Sequence, residues 1–118
     1  MNEDELKQRT KQFALRVIKL VTALPKSREA EVIGRQLLRS ATSVGANYRS
    51  ACRARSKPDF ISKIGITEEE ADESLYWLEL IVEAGLLPLS RVSDLVREAD
   101  ELTAILVATG HSAKKNRG

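Results

Sequence analysis

The chain has 118 residues, enough for one domain whose core needs no metal or disulfide staple. Charged residues make up 31% of it and aromatics only 4%, with Pro and Gly sparse, which suits an all-helical protein. The formal net charge of +2 is too small to imply a polyanion partner unless charge is unevenly placed, the single cysteine excludes an intrachain disulfide, and no run of apolar residues is long enough to span a membrane.

The N-terminal segment Met1 to Glu5 is acidic and has no apolar signal region, so a cytoplasmic protein is expected. A first helix is predicted from about Glu3 to Leu24, with the stripe Leu6, Phe13, Val17, Leu20 and Leu24 widened by Ile18 and Val21. Pro25 ends it. Ser27 is a good N-cap for a second helix reaching about Arg55, with Glu29 and Glu31 well placed in its first turn. Its inner face reads Ile33, Leu37, Ala41, Val44, Tyr48 and Cys52. Gly34 and Gly45 each cost about 1 kcal/mol there against Ala, so each is expected where another backbone comes close.

Pro58 fits the first position of a third helix that runs to about Ala84, with Gly85 as its C′ residue and Gly65 as its weak point. Leu86 to Leu89 forms an apolar connection. Ser90 or Ser93 then caps a fourth helix with the stripe Val92, Leu95, Ala99, Leu102 and Leu106. The segment 111–118, with Lys114, Lys115 and Arg117, is expected to be a basic, disordered tail. The resulting class is all-α: a single antiparallel up-down four-helix bundle over residues 1–110, its second and third helices the longest.

The third helix carries two stripes. One runs Ile61, Ile64, Ala71, Leu75, Leu78 and Val82; the other, nearly opposite, runs Ile66, Glu70, Glu73, Trp77, Leu80 and Ala84. A helix in a small bundle meets its neighbours over one broad arc, so the second seam needs a partner from outside. Ile66, Trp77, Leu80 and Ala84 are therefore the candidate residues of an oligomer interface.

Charge is uneven as well. From Val32 to Pro58 there is no acidic residue, while Arg35, Arg39, Arg49, Arg53, Arg55 and Lys57 all fall within that stretch. With Arg28, all of these but Arg55 share one broad face of the second helix, a basic ridge about 40 Å long at about 1.5 Å per residue. Arg35, Arg49, Arg53 and Lys57 are candidates for contacting the phosphates of RNA or DNA. The alternative is pairing of these cations with Glu68 to Glu73 of the next helix or of a neighbouring subunit. No aromatic residues alternate with the basic ones, which counts against stacking on single strands. On the flank of the same helix, Arg39, Ser43 and Asn47 form a polar line with Ser50. In a hairpin turning near Lys57 this line meets Glu70 and Glu73, and a buried Arg39–carboxylate contact completed by Ser43 and Asn47 is expected.

Catalysis is not expected, and neither is a cofactor. The one histidine, His111, lies in the tail, so the Glu-x-x-His pairs of a di-iron bundle are absent. Cys52 sits on an apolar stripe and reads as a small core residue, and no nucleophile with a positioned base can be assembled.

The run Leu37 to Arg49, then Ala51 to Ala54 and Asp59 to Ile61, then Glu69 to Leu80, resembles the bacterial four-helix-bundle proteins named after intervening sequences in 23S ribosomal RNA genes. The likeness covers about Leu24 to Leu102, and Ser50 departs from it by standing where such proteins often carry Glu. The resemblance implies a ring-like homopentamer without enzymatic activity. It also implies kinship with accessory proteins of diversity-generating retroelements, whose basic pentameric barrels engage nucleic acid and a reverse transcriptase. Two functions remain open: sequence-independent nucleic-acid binding through the Arg ridge, or a structural scaffold that docks a protein partner without nucleic acid.

Overall fold

Short polar side chains open three of the four helices by accepting a free amide of the first turn. In the computed structural model, which describes residues 1–116, Asn2 Oδ1 accepts from the Glu5 N–H and starts α1 (Glu3–Thr22). Ser27 Oγ accepts from Ala30 at the start of α2 (Arg28–Cys52), and Ser56 Oγ from Asp59 at the start of α3 (Lys57–Glu83). The fourth, α4 (Leu89–Lys115), has Pro88 at its N-cap and no side-chain cap, so the expectation of Ser90 or Ser93 there is corrected. Pro88 holds an extended backbone and its carbonyl already accepts from the Arg91 N–H, which starts the helix before either serine.

At the far end of α3, Gly85 adopts φ +70°, its N–H bonds the Val82 carbonyl and the Leu86 N–H bonds the Ile81 carbonyl. This is the 6→1, 5→2 closure that needs a residue without Cβ strain. Among the described residues there is no strand.

Each helix packs on two neighbours, α1 on α2 and α4, α3 on α2 and α4, giving a bundle of 51 × 21 × 20 Å. Phe13, Val17, Leu37, Val44, Ile64, Leu78, Ile81, Val92, Leu102 and Leu106 are fully buried at its centre. In α2 the buried face is centred on Gly34, Leu37, Ser40, Ala41, Val44, Tyr48 and Ala51, leaving Ile33 and Cys52 half-buried at its edge. Gly45 lies where α1 passes, the Thr10 backbone carbon being 3.5 Å from where a Cβ would stand. At Gly34 the close neighbour is a side chain instead, Leu24 Cδ1 at 2.8 Å.

Two expectations change in α3 and α4. The inner stripe of α3 is Ile64, Thr67, Ala71, Ser74, Leu78 and Ile81, with Leu75 and Val82 on its flanks. Small hydroxyl residues can sit at the centre because each bonds a carbonyl one turn back, Thr67 to Lys63 at 2.8 Å and Ser74 to Glu70 at 2.9 Å. The residues expected as a disordered tail continue α4 through Lys115, making it 27 residues long, as long as α3 and longer than α2. Gly110 is buried, Ile64 Cγ2 lies 3.5 Å from its would-be Cβ, and Lys57 Nζ donates to the Asn116 carbonyl, so the last turns of α4 rest on the first turns of α3. Arg117 lies outside the described residues.

Candidate functional site

Two surfaces flank α2, one polar and paired, the other basic and open. On the first, Ser40 is buried against α3, and Arg39, one residue earlier, reaches along the rim of the α2–α3 groove. Its guanidinium donates from Nη1 to Glu70 at 3.2 Å and from Nη2 to Glu73. The Trp77 indole N–H also donates to Glu73, at 3.1 Å. The indole and then the guanidinium hold the Glu73 carboxyl below its ordinary value, and Arg39 is raised in turn by Glu73 and Glu70.

The network differs from the sequence expectation in two ways. Half of the Arg39 side chain is exposed, so the contact is not buried. Ser43 and Asn47 do not touch the guanidinium: Ser43 donates to the Arg39 carbonyl at 2.7 Å and Asn47 to the Ser43 carbonyl at 2.8 Å. Hydroxyl and amide side chains on a helix find a carbonyl one turn back more readily than a flexible cation across a groove.

The candidate interface residues separate. Ile66 and Ala84 are exposed, while Leu80 is half-buried and Trp77 partly packs on the core. Beside them Tyr76 is 55% exposed, its ring edge-on to that of Trp77 with centroids 5.0 Å apart.

The basic ridge also divides. Arg35 pairs with Glu31 at 2.8 Å, Arg39 is engaged with α3, and Lys57 donates to the end of α4. Arg49 and Arg53, exposed and one turn apart, form no ion pair among the described residues, and neither does Arg55. They line a cleft of about 520 Å³ at the α2–α3 corner with Ser50, Asp59 and Lys63. Asp59 accepts from Lys63 at 3.3 Å, which leaves the cleft an excess of three positive charges. A second cleft of about 550 Å³ lies between α1 and α2, lined by Lys7, Gln8, Lys11, Ala14, Thr42, Gly45, Ala46 and Arg49. Arg49 and Ala46 belong to both.

Sequence reasoning missed Lys11 and Lys63 because they lie on other helices, and their nearness to Arg49 depends on how α1 and α3 dock. It also missed the ion pair that ties α1 to α4. Arg9 donates from Nε and Nη2 to both carboxylate oxygens of Glu98, at 2.7 and 2.8 Å, and from Nη2 to Glu101 at 2.8 Å. The i, i+3 pair Glu98 and Glu101 on the rim of the α4 stripe was the available signal. Arg9 holds the Glu98 carboxyl low.

Cys52 is half-buried, and that burial pushes its thiol up, away from the reactive thiolate. Among the described residues no group of His, Cys, Asp and Glu is placed to hold a metal ion, and no helix is long and apolar enough to cross a membrane.

Comparison with known proteins follows the fold. The family model described as 23S rRNA-intervening sequence protein matches residues 2–108. A crystal structure of a protein of unknown function from the S23 ribosomal protein family of Bacteroides thetaiotaomicron is 34% identical. It superposes with a TM-score of 0.82 over 88% of this chain and 96% of that one. No curated protein matches the chain.

Proposed function

The chain belongs to the family of 23S rRNA-intervening sequence proteins, and on that premise we propose that it acts without catalysis, as a cytoplasmic, self-associating bundle that binds nucleic acid irrespective of sequence. Assembly runs through the outer face of α3 into a ring-like homopentamer, and the phosphates are met by Arg49 and Arg53. The observation that supports this is the pair's freedom: two exposed guanidiniums one turn apart, with no carboxylate engaged, on a stretch that holds no acidic residue for 27 positions from Val32 to Pro58. Each protomer of an assembly presents the same pair, so modest contacts add up. No arrangement of side chains for reading base edges accompanies them, and phosphate contacts alone carry no sequence information.

The test is a fluorescence-anisotropy titration with RNA and duplex DNA at about 50 and 200 mM salt, repeated on the double variant Arg49→Glu, Arg53→Glu. Steep loss of affinity with salt and about tenfold or greater weakening in the variant are the expected results. Absence of binding at low salt, or equal binding by the variant, refutes this reading. The outcome would favour a scaffold that docks a protein partner, a role to which the exposed Tyr76 and Ile66 on α3 are suited.

A further inference from the structure

A cation ridge along a helix suggests a ligand lying parallel to that helix, but the free charges are not distributed that way. Toward the N-terminal half of α2, Arg39 is held by Glu70 and Glu73 and Arg35 forms an exposed pair with Glu31, which leaves Arg28 the one ridge cation there without an ion pair among the described residues. The open charges instead gather at the level of Ala46 to Arg55 and continue onto α1 at Lys11, while on α3 Lys63, paired with Asp59, borders the same cleft. Two clefts of similar size, about 550 and about 520 Å³, meet at Ala46 and Arg49. At the meeting point α2 carries small residues, Gly45 and Ala46, so the ridge dips where a ligand would have to cross it.

From this geometry we propose that a phosphodiester backbone crosses α2 instead of following it. It enters by the α1–α2 groove at Lys11, passes over Ala46 beside Arg49, and ends in the α2–α3 corner among Arg53, Arg55 and Lys63. The site deepens the nucleic-acid reading above and rests on it. The three guanidiniums share the cleft with a single carboxylate, Asp59, which is already paired with Lys63, and an anion of multiple charge in the cleft relieves their mutual repulsion. The N-terminus of α3 adds little, because Ser56 already satisfies the Asp59 amide, the Phe60 amide bonds the Ser56 carbonyl and Pro58 has no N–H. Side-chain charge therefore holds the ligand. No aromatic residue lines either cleft, so bases are not stacked and point away from the protein. Two interhelix spacings of about 8–10 Å set the length of the track at about 20 Å, a few nucleotides per protomer.

The experiment compares two double variants of the full chain in anisotropy titrations with labelled twelve-nucleotide RNA and the same sequence as DNA. Lys11→Ala with Arg55→Ala removes the two ends of the crossing track; Arg28→Ala with Arg35→Ala removes the far end of the ridge. All four side chains are exposed, and circular dichroism checks that both variants keep the wild-type helix content. The crossing track requires the first variant to lose at least about tenfold in affinity, with a salt dependence shallower by about 1.4, two contacts at about 0.7 each on a single strand. The second variant should then change by less than about twofold. Loss in the second variant as large as in the first overturns the crossing path while leaving nucleic-acid binding intact. No binding by the wild-type protein overturns both. Equal affinity for RNA and DNA fits phosphate recognition; a strong preference for RNA that Lys11→Ala, Arg55→Ala leaves in place overturns the assignment of these residues.

Discussion

The Ser74 hydroxyl lies 2.9 Å from the Ser40 hydroxyl, and both side chains are fully buried between α3 and α2. Ser40 also reaches the Leu37 carbonyl at 3.2 Å and Ser74 the Glu70 carbonyl at 2.9 Å, so neither hydroxyl is left without a partner. This pair sets the register of the two helices. With Ser40 opposite Ser74, Arg39 comes level with Glu70 and Glu73, and its two ion pairs follow.

Ser74→Ala should cost about 1 kcal/mol, the usual worth of one buried hydrogen bond. Ser74→Leu should cost more, up to about 3 kcal/mol, because added volume has to push the helices apart. Urea denaturation of the two variants measures both. Wild-type stability in Ser74→Leu would show that α2 and α3 are not in close contact at that level.

Arg9→Ala should be the most destabilising of the cation removals. Its partner Glu98 is 13% exposed and is left partly buried, with only the weaker influence of Arg16 to offset its charge. We expect about 2 kcal/mol, between the ~3–5 of a fully buried pair and the ~1 or less of an exposed one. Arg39→Ala should cost less within a protomer, since half of that side chain is in water. The order of the two melting temperatures decides the point.

Acid should weaken the bundle in a defined window. The Glu98 and Glu73 carboxyls are held below the ordinary value of 4.5, Glu98 by Arg9 and Glu73 by Trp77 and Arg39. Below pH 4.5 the unfolded chain takes up these protons first, so stability is present above that pH and falls as pH drops through the lowered folded values. Thermal melts from pH 6 to about 3 should show this decline, and it should be shallower in Glu98→Gln. An equal slope in that variant would mean that other carboxylates govern the acid limit.

The outer face of α3 gives the test of assembly. Leu80→Lys places a charge on a half-buried apolar position next to Trp77. Analytical ultracentrifugation should find the wild-type protein oligomeric at micromolar concentration and this variant smaller, with unchanged helix content. A monomeric wild type would remove the interface.

Much of the site was legible in part only. That Arg39 meets Glu70 and Glu73 followed from counting residues back from the hairpin turn; that it does so in half-solvated form did not. Exposure depends on how tightly α2 and α3 approach, which is decided by Ser40 and Ser74, two residues a hydropathy pattern reads as interruptions. The basic surface shows the same division. Arg49 and Arg53 stand out in the sequence because they lie on one helix, whereas Lys11 and Lys63 join them only through docking of α1 and α3.

What the sequence determined by itself was local and periodic: where Ser27 begins a helix and Gly85 ends one, and that four amphipathic helices joined by short connections close into a bundle. These rest on caps, turn chemistry and the 3.6-residue repeat, all of which act within a few residues of chain. Tertiary structure alone decided that α4 runs on to Lys115, that the centre of α3 is Thr67 and Ser74, and that Arg9 reaches Glu98. Each of these depends on a contact made across the bundle: Gly110 beneath Ile64, Ser40 against Ser74, α1 beside α4. Such contacts join residues tens of positions apart, and no short-range pattern encodes which side chains will face each other once the helices have packed.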